Sequence, residues 1–352
     1  MHPHIKGNYL SIFHYVCFIN MVINKSEKIL IAGASGMVGG ALTKELLNRG
    51  YTNLHLCVRK QSVLPDWVLD NDHITIHRGN LLDYFWLEPI FDQAAWVFNA
   101  VGSRSIDRDD RDELIEANIA MPRTWVNLAL QFSVSGYIHI SSAAALGRKK
   151  DGSPCKETDN WQKNEVYSDY NKSKFLGEME VFRGQAEGLN VLVLNPSTII
   201  GQGGVLQYML DQVDLGTVYI PQGKGGYVFI ENVVDFAISA AEHGIWGERF
   251  ILNADNIKHE KICHWVSETT GQPLKIKPMT HHRWRLEAIR ALWGRIWGKK
   301  RPIISKSSFR MLSSEFAYSN QKALDTGLIS FLPLQEAVKK SLASSTTERH
   351  LQ

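Results

Sequence analysis

Three glycines set three apart, Gly33, Gly36 and Gly39, stand between a short apolar run and a helix-like stretch, and no other feature of the 352-residue chain limits its fold so sharply. The run before them, Glu27-Lys-Ile-Leu-Ile-Ala32, has the length and composition of a buried strand. After them, Ala41 to Arg49 has a helical pattern that stops at Gly50. Such a unit turns the backbone tightly, lets it approach a pyrophosphate, packs the helix on the sheet and aims the helix N-terminus at negative phosphates. The turn therefore predicts a dinucleotide site.

The alternation continues. Strands are predicted at 53–58, 74–77, 96–101, 136–140 and 191–194, with helical segments between them. Strands and helices of these lengths predict the α/β class: a doubly wound parallel sheet of the Rossmann type with right-handed crossovers. After Pro196 the regularity stops, and Gly201-Gln-Gly-Gly204, Gly216, Gly223 and Gly225-Gly226 punctuate loops. A helix begins near Phe229, and Arg249-Phe-Ile-Leu252 reads as a short late strand. The expected division is an N-terminal extension outside the fold (1–26), a dinucleotide-binding core (27–194) and a smaller C-terminal substrate lobe (195–345) with segments returning to the core.

Strand ends carry the candidate contacts. Arg59-Lys60 ends the second strand, where an NAD-binding chain would present an acid to the ribose. A carboxylate there would repel a 2′-phosphate, whereas Arg59 can pair with it in a bidentate fashion, so NADP(H) is favoured over NAD(H). Asp83 either takes an adenine amino group or caps the helix that follows. Asn99-Ala100-Val101 closes the fourth strand with small residues where a cofactor passes. The fifth delivers Ser141-Ser142, and Ser142 is the expected carbonyl-binding hydroxyl. Asn118, inside a helical segment from Asp112 to Phe132, is either part of a water relay or a satisfied core amide.

Tyr170 and Lys174 lie one helical turn apart on one face. A tyrosine, with a pKa of about 10, is a poor acid or base at neutral pH until a nearby cation stabilises its phenolate. The pair suits proton transfer.

Composition narrows the class. Hydrophobic residues make up 44% and charged residues 21%, ordinary for a globular protein, and a net charge of +3 from 39 basic and 36 acidic residues is too small to make nucleic acid the main partner. Cys17, Cys57, Cys155 and Cys263 form no C-x-x-C pair and read as reduced cytosolic thiols, with neither a disulfide framework nor a metal site. Tyr9 to Ile23 is mostly apolar, but it is shorter than a membrane span and interrupted by Ser11, His14 and Asn20, and no small-residue cleavage site follows. We read it as a non-native extension with translation starting at Met21; a membrane anchor or a docked helix are the alternatives. His281 to Arg301 holds seven Lys/Arg, one acid and three tryptophans. Leu286, Ile289, Leu292, Trp293, Ile296 and Trp297 fall on one helical arc. Such a helix either packs by that face in the substrate lobe or lies on an anionic membrane surface, so the expected location is cytoplasmic with peripheral membrane contact as a second reading.

With Gly33-x-x-Gly36-x-x-Gly39, Asn99-Ala-Val-Gly102, Ser141-Ser142-Ala, Tyr170-x-x-Ser173-Lys174 and Asn195-Pro-Ser in this order, the chain resembles the extended short-chain dehydrogenase/reductase family, the NAD-dependent epimerase/dehydratase superfamily, from about Lys28 to Ala343. Glu157-Thr-Asp-Asn-Trp161, Ile230-Glu-Asn-Val-Val234 and Tyr318 to Leu328 look like its branch of 3β-hydroxysteroid dehydrogenases and dihydroflavonol-4-reductases. The resemblance implies that Tyr170 exchanges a proton with the substrate oxygen, that Lys174 holds the nicotinamide ribose and lowers the tyrosine's pKa, that Ser142 orients the carbonyl, and that Asn118 completes the catalytic set. It places the cofactor against Gly33, Ser35, Gly36, Met37, Val38, Gly39, Arg59, Leu82, Asp83, Asn99, Ala100, Val101, Tyr170, Lys174 and Pro196, and it raises a homodimer as an expectation. Two departures matter. Many sugar-nucleotide members have an arginine where this chain has Asn195 and an aspartate where it has Asn232, and both weigh against such a substrate. The expected function is an NADPH-preferring oxidoreductase interconverting a secondary alcohol and a ketone, or reducing an aldehyde, on a fairly apolar small molecule. The alternatives are a nucleotide-sugar epimerase or dehydratase with tightly bound NAD, and a cofactor-binding sensor without turnover.

Overall fold

The computed structural model describes residues 24–104, 111–147, 149, 152–159, 161, 168–214, 216–296 and 306–349. The expectations for 1–23 and for 297–301 lie outside them. Strands, in chain order, are β1 (Lys28–Ala32), β2 (Leu54–Val58), β3 (Ile74–Arg78), β4 (Ala94–Asn99), β5 (Gly136–Ile140), β6 (Val191–Pro196), β7 (Thr198–Ile200), β8 (Thr217–Ile220), β9 (Lys224–Phe229), β10 (Glu248–Leu252), β11 (Asp255–Lys258) and β12 (Lys275–Pro278).

Seven of these form one parallel sheet in the order β3-β2-β1-β4-β5-β6-β10. Its central strands are continuous apolar runs because helices cover both faces. On one face Ile29, Ile31 and Phe98 meet Leu42 of the helix Met37–Asn48 and Phe236 of the helix Ile230–Glu242. On the other, Leu30, Val97 and Tyr137 meet Trp125 of the helix Met121–Gln131 and Val181 of the helix Asp169–Ala186. The chain winds outward from β1 in one direction and from β4 in the other. The crevice between their carboxyl ends is the switch point at which ligands bind in such sheets.

The late strand at 249–252 returns to the main sheet as its seventh strand, hydrogen-bonded along β6. One element differs from the sequence reading: the helical segment from Asp112 is not uniform, since a π turn, Glu116–Ala120, separates Arg111–Ile115 from Met121–Gln131, and Asn118 is buried at its centre.

The remaining strands form two small sheets, β7-β9-β11 and β8-β12. They enclose a separate core of Ile200, Val218, Tyr227, Ile262 and Val338. No helix among the described residues is long and apolar enough to cross a membrane.

Candidate active site

The glycine turn sits at the switch point. Gly33 has φ +83°, and a Cβ on it would lie 2.9 Å from the Ala100 carbonyl carbon and oxygen. A Cβ on Gly39 would collide with the Gly33 carbonyl. Glycine at these two positions lets the end of β1, the end of β4 and the first helix close on one another. That helix starts at Met37 with Gly36 as its N-cap and no side-chain cap, which leaves its first N–H groups for a ligand. Ser35, Met37 and Val38 line the same turn. The cradle fits a dinucleotide pyrophosphate.

At the adenosine end, Arg59 is exposed immediately after β2. The hydroxyls of Ser35 and Ser62 are 3.3 Å apart, and Arg78, the last residue of β3, donates to the Ser62 carbonyl at 2.6 Å. Arg78 escaped the sequence reading, although a basic residue at a strand end beside Arg59 was the signal. Asp83 caps its helix, accepting from the Trp86 N–H at 3.2 Å, and Leu82 is half-buried beside it. Asn99 is fully buried, and its amide donates to the Tyr137 hydroxyl at 2.9 Å and accepts from the Val101 N–H at 3.1 Å. Its side chain braces the turn that presents Ala100 and Val101.

The helix Asp169–Ala186 is started by Ser168, whose hydroxyl accepts from the Asn171 N–H at 3.2 Å. Asn171 donates to the Ala144 carbonyl at 2.8 Å, which ties this helix to the turn after β5. Tyr170 and Ser142 come together there. Burial raises the phenol above its ordinary value, and a hydrogen bond with Ser142 and the nearby Arg104 guanidinium pull it back. Lys174, expected to lower that phenol, is itself buried. Desolvation brings the ammonium down to about 8, Glu178 works in the other direction, and Arg104 adds to the lowering. A Cβ on Gly102 would lie 2.7 Å from the Lys174 Nζ, so the ammonium rests against the loop after β4. Pro196 is buried at the end of β6.

Of the two readings of Asn118, the contacts match the core amide. It donates to the Ser103 carbonyl at 3.0 Å and the Ser173 hydroxyl at 2.9 Å, and accepts from the Ser103 N–H at 3.1 Å.

Beneath Lys174 lies a group the sequence reading missed. Glu178 is a further turn along the same helix and 0% exposed. Its carboxylate pairs with Arg249 of β10 and accepts from the Asn195 amide. Burial raises its pKa, while Arg249, the Ser141 hydroxyl, Asn195 and Lys174 oppose that rise. Ser141 thus faces Glu178, and Ser142 faces Tyr170. The i, i+4, i+8 spacing of Tyr170, Lys174 and Glu178 was a usable signal for the carboxylate. Nothing local marks Arg249.

The match to known proteins decides the family. Residues 29–252 match the NAD dependent epimerase/dehydratase family. The chain belongs to that family. It is an enzyme of the extended short-chain dehydrogenase/reductase type. A sterol demethylase protein B of Methylococcus capsulatus is 26% identical over 252 residues, 69% of this chain and 75% of that one. A putative dihydroflavonol 4-reductase of Synechocystis is 26% identical over 345 residues, 93% of this chain and 96% of that one. The UDP-glucose 4-epimerase of Thermotoga maritima, solved with UDP-glucose, superposes with a TM-score of 0.72 at 19% identity, covering 92% of this chain and 100% of the other, which is a likeness of fold. Within the family this chain has Asn195 before its proline, and the cation at Glu178 comes from Arg249 on another strand.

Proposed function

We propose that the protein is an NADP(H)-preferring oxidoreductase that interconverts a secondary alcohol and a ketone, or reduces an aldehyde, on a fairly apolar small molecule. The observation that carries this reading is the convergence of Tyr170, Ser142 and Lys174 beside the glycine cradle. In the reducing direction Tyr170 gives its proton to a carbonyl oxygen held by the Ser142 hydroxyl; in the oxidising direction it takes the alcohol proton. A raised phenol pKa keeps that proton on Tyr170 near neutrality. Lys174, at about 8, still carries its charge at pH 7 and stabilises the phenolate as the proton leaves. The bound nicotinamide supplies or accepts the hydride.

Gly33, Gly36, Gly39, Ala100, Val101 and Pro196 would hold the dinucleotide. Arg59, with Lys60 and Arg78 near it and an uncharged Ser62 between, supports the preference for a 2′-phosphate. The relatives named for sterol demethylation and dihydroflavonol reduction support an apolar, multi-ring substrate. Asn195 and Asn232 weigh against a nucleotide sugar: Asn195 serves Glu178, and Asn232 locks the 330–332 turn by donating to the Ser330 carbonyl and accepting from the Leu332 N–H.

The test is turnover of a broad panel of alcohols and carbonyls with NADPH and NADH. Tyr170→Phe should lower kcat by about a thousandfold while nicotinamide binding persists. Absence of turnover on the whole panel, with NAD retained through gel filtration, would sink the proposal in favour of an epimerase or dehydratase.

A further inference from the structure

We propose that the helix His281–Ile296 docks the protein on a membrane surface that carries anionic lipid. The inference stands on this helix and not on the reaction proposed above. Its seating is clear from one end. The Trp284 ring stacks on Phe309 with centroids 5.5 Å apart and planes at 19°, and His281 meets the same ring edge-on at 6.0 Å. Arg283 lies over the Tyr219 ring at 4.2 Å. The face bearing His281 and Trp284 is therefore turned toward the lobe.

At 3.6 residues per turn, Leu286 and Ile289 lie about 160° and about 140° around the helix from Trp284. They are 51% and 52% exposed. In sequence Leu292, Trp293 and Ile296 continue that arc, and Arg285 and Arg290, both exposed, lie on either side of the Leu286 and Ile289 pair. Among the described side chains of this helix, Leu286 and Ile289 face water, while His281, Trp284 and Arg283 make the contact with the protein. Large apolar side chains grouped on a surface mark an interaction site.

Charge says which kind. The segment from His281 to Arg301 has seven Lys/Arg against one acid. That acid, Glu287, is already engaged by Arg283 at 2.8 Å and Arg290 at 3.2 Å. A bilayer interface accepts leucine, isoleucine and tryptophan at the boundary of headgroups and acyl chains while anionic headgroups meet the flanking arginines. With no spanning helix among the described residues, the attachment made here is peripheral.

Cosedimentation of the full chain with phosphatidylcholine vesicles, with and without phosphatidylglycerol, tests this. Binding should require phosphatidylglycerol and weaken as salt is added. Leu286→Ser with Ile289→Ser, and separately Arg285→Gln with Arg290→Gln, should each lower the bound fraction by at least roughly tenfold, with NADPH binding unchanged as the control for folding. Three results overturn the proposal. One is no binding to either vesicle. Another is binding that survives both double substitutions, which would put the attachment elsewhere, such as at Tyr9–Ile23. The third is a concentration-dependent self-association abolished by the leucine and isoleucine substitutions, which would assign the stripe to a second copy of the chain.

Discussion

Glu178 sits between two cations that want different things from it. Arg249 is its ion-pair partner, and Lys174 feels its charge from one turn away. Burial lowers the Lys174 ammonium to about 8, and the Glu178 carboxylate resists that lowering. Glu178→Gln removes the resistance, so Lys174 should lose its proton at lower pH, and the alkaline limb of kcat against pH should move acidward. The same change leaves Arg249 facing a neutral amide, at a cost on the order of 3 kcal/mol in urea unfolding. An alkaline limb that stays in place while stability drops would confine Glu178 to a structural role. At the far end of the cofactor site, Arg59→Ala should weaken NADPH binding roughly 10- to 100-fold, the loss of a charge-assisted pair, and leave NADH binding unchanged. Nicotinamide fluorescence titration reads both; an unaltered NADPH affinity would show that Arg59 does not meet the 2′-phosphate. These residues were not equally legible. Tyr170 and Lys174 are one turn apart and the three glycines share one loop, so spacing alone assembles each of these two groups. Arg249 is 71 residues from Glu178, and only the sheet order brings it there. The bond from Asn99 to Tyr137 was not legible either, because a position at a strand end says nothing of which face the side chain takes.

The helix that carries Tyr170 approaches its neighbour through small residues. A Cβ on Gly177 would run into the backbone carbonyl of Asn118, and one on Gly184 would lie 2.5 Å from the Val126 Cγ1. Gly177 therefore faces the π turn, and Ser173 is bonded to the Asn118 amide one turn earlier. Gly177→Ala should push the two helices apart by a fraction of an ångström to one ångström. A displacement of that size at the proton donor costs on the order of a hundredfold in kcat. Cofactor affinity should change far less, because the glycine cradle belongs to other elements; equal losses in both would mean a general unfolding. The strands could be read in advance because parallel strands buried on both faces appear as unbroken apolar runs. The π turn could not, since its extra residue is settled by what packs against it.

Acid should unfold this molecule earlier than its net charge suggests. His139 is buried in β5, and burial, with Lys174 second, holds its pKa down to about 3. His55 is held to about 4 by burial, then Lys28 and His77. Unfolded histidines titrate near about 6.5. The unfolded chain therefore takes up protons that the folded chain refuses. Their contribution to stability is intact above about 6.5 and is lost progressively as pH falls toward about 4 and then 3. The Tm of the native protein should fall between pH 7.5 and pH 5, and His139→Gln should show a shallower fall. Parallel slopes for the two would remove His139 as a cause.

The position of β10 bears on how such a protein is made. A ribosome that has released the chain only through Pro196 has produced every residue to which proton transfer is assigned, yet not the cation that neutralises Glu178. That cation arrives after residues 197–247, when β10 aligns along β6. A nascent or truncated product thus holds Glu178 without its ion-pair partner, with Lys174 left to oppose its charge, and leaves one edge of its sheet unpaired. The electrostatics of the site are completed only by a chain that has already synthesised β7, β8 and β9, strands of the two smaller sheets.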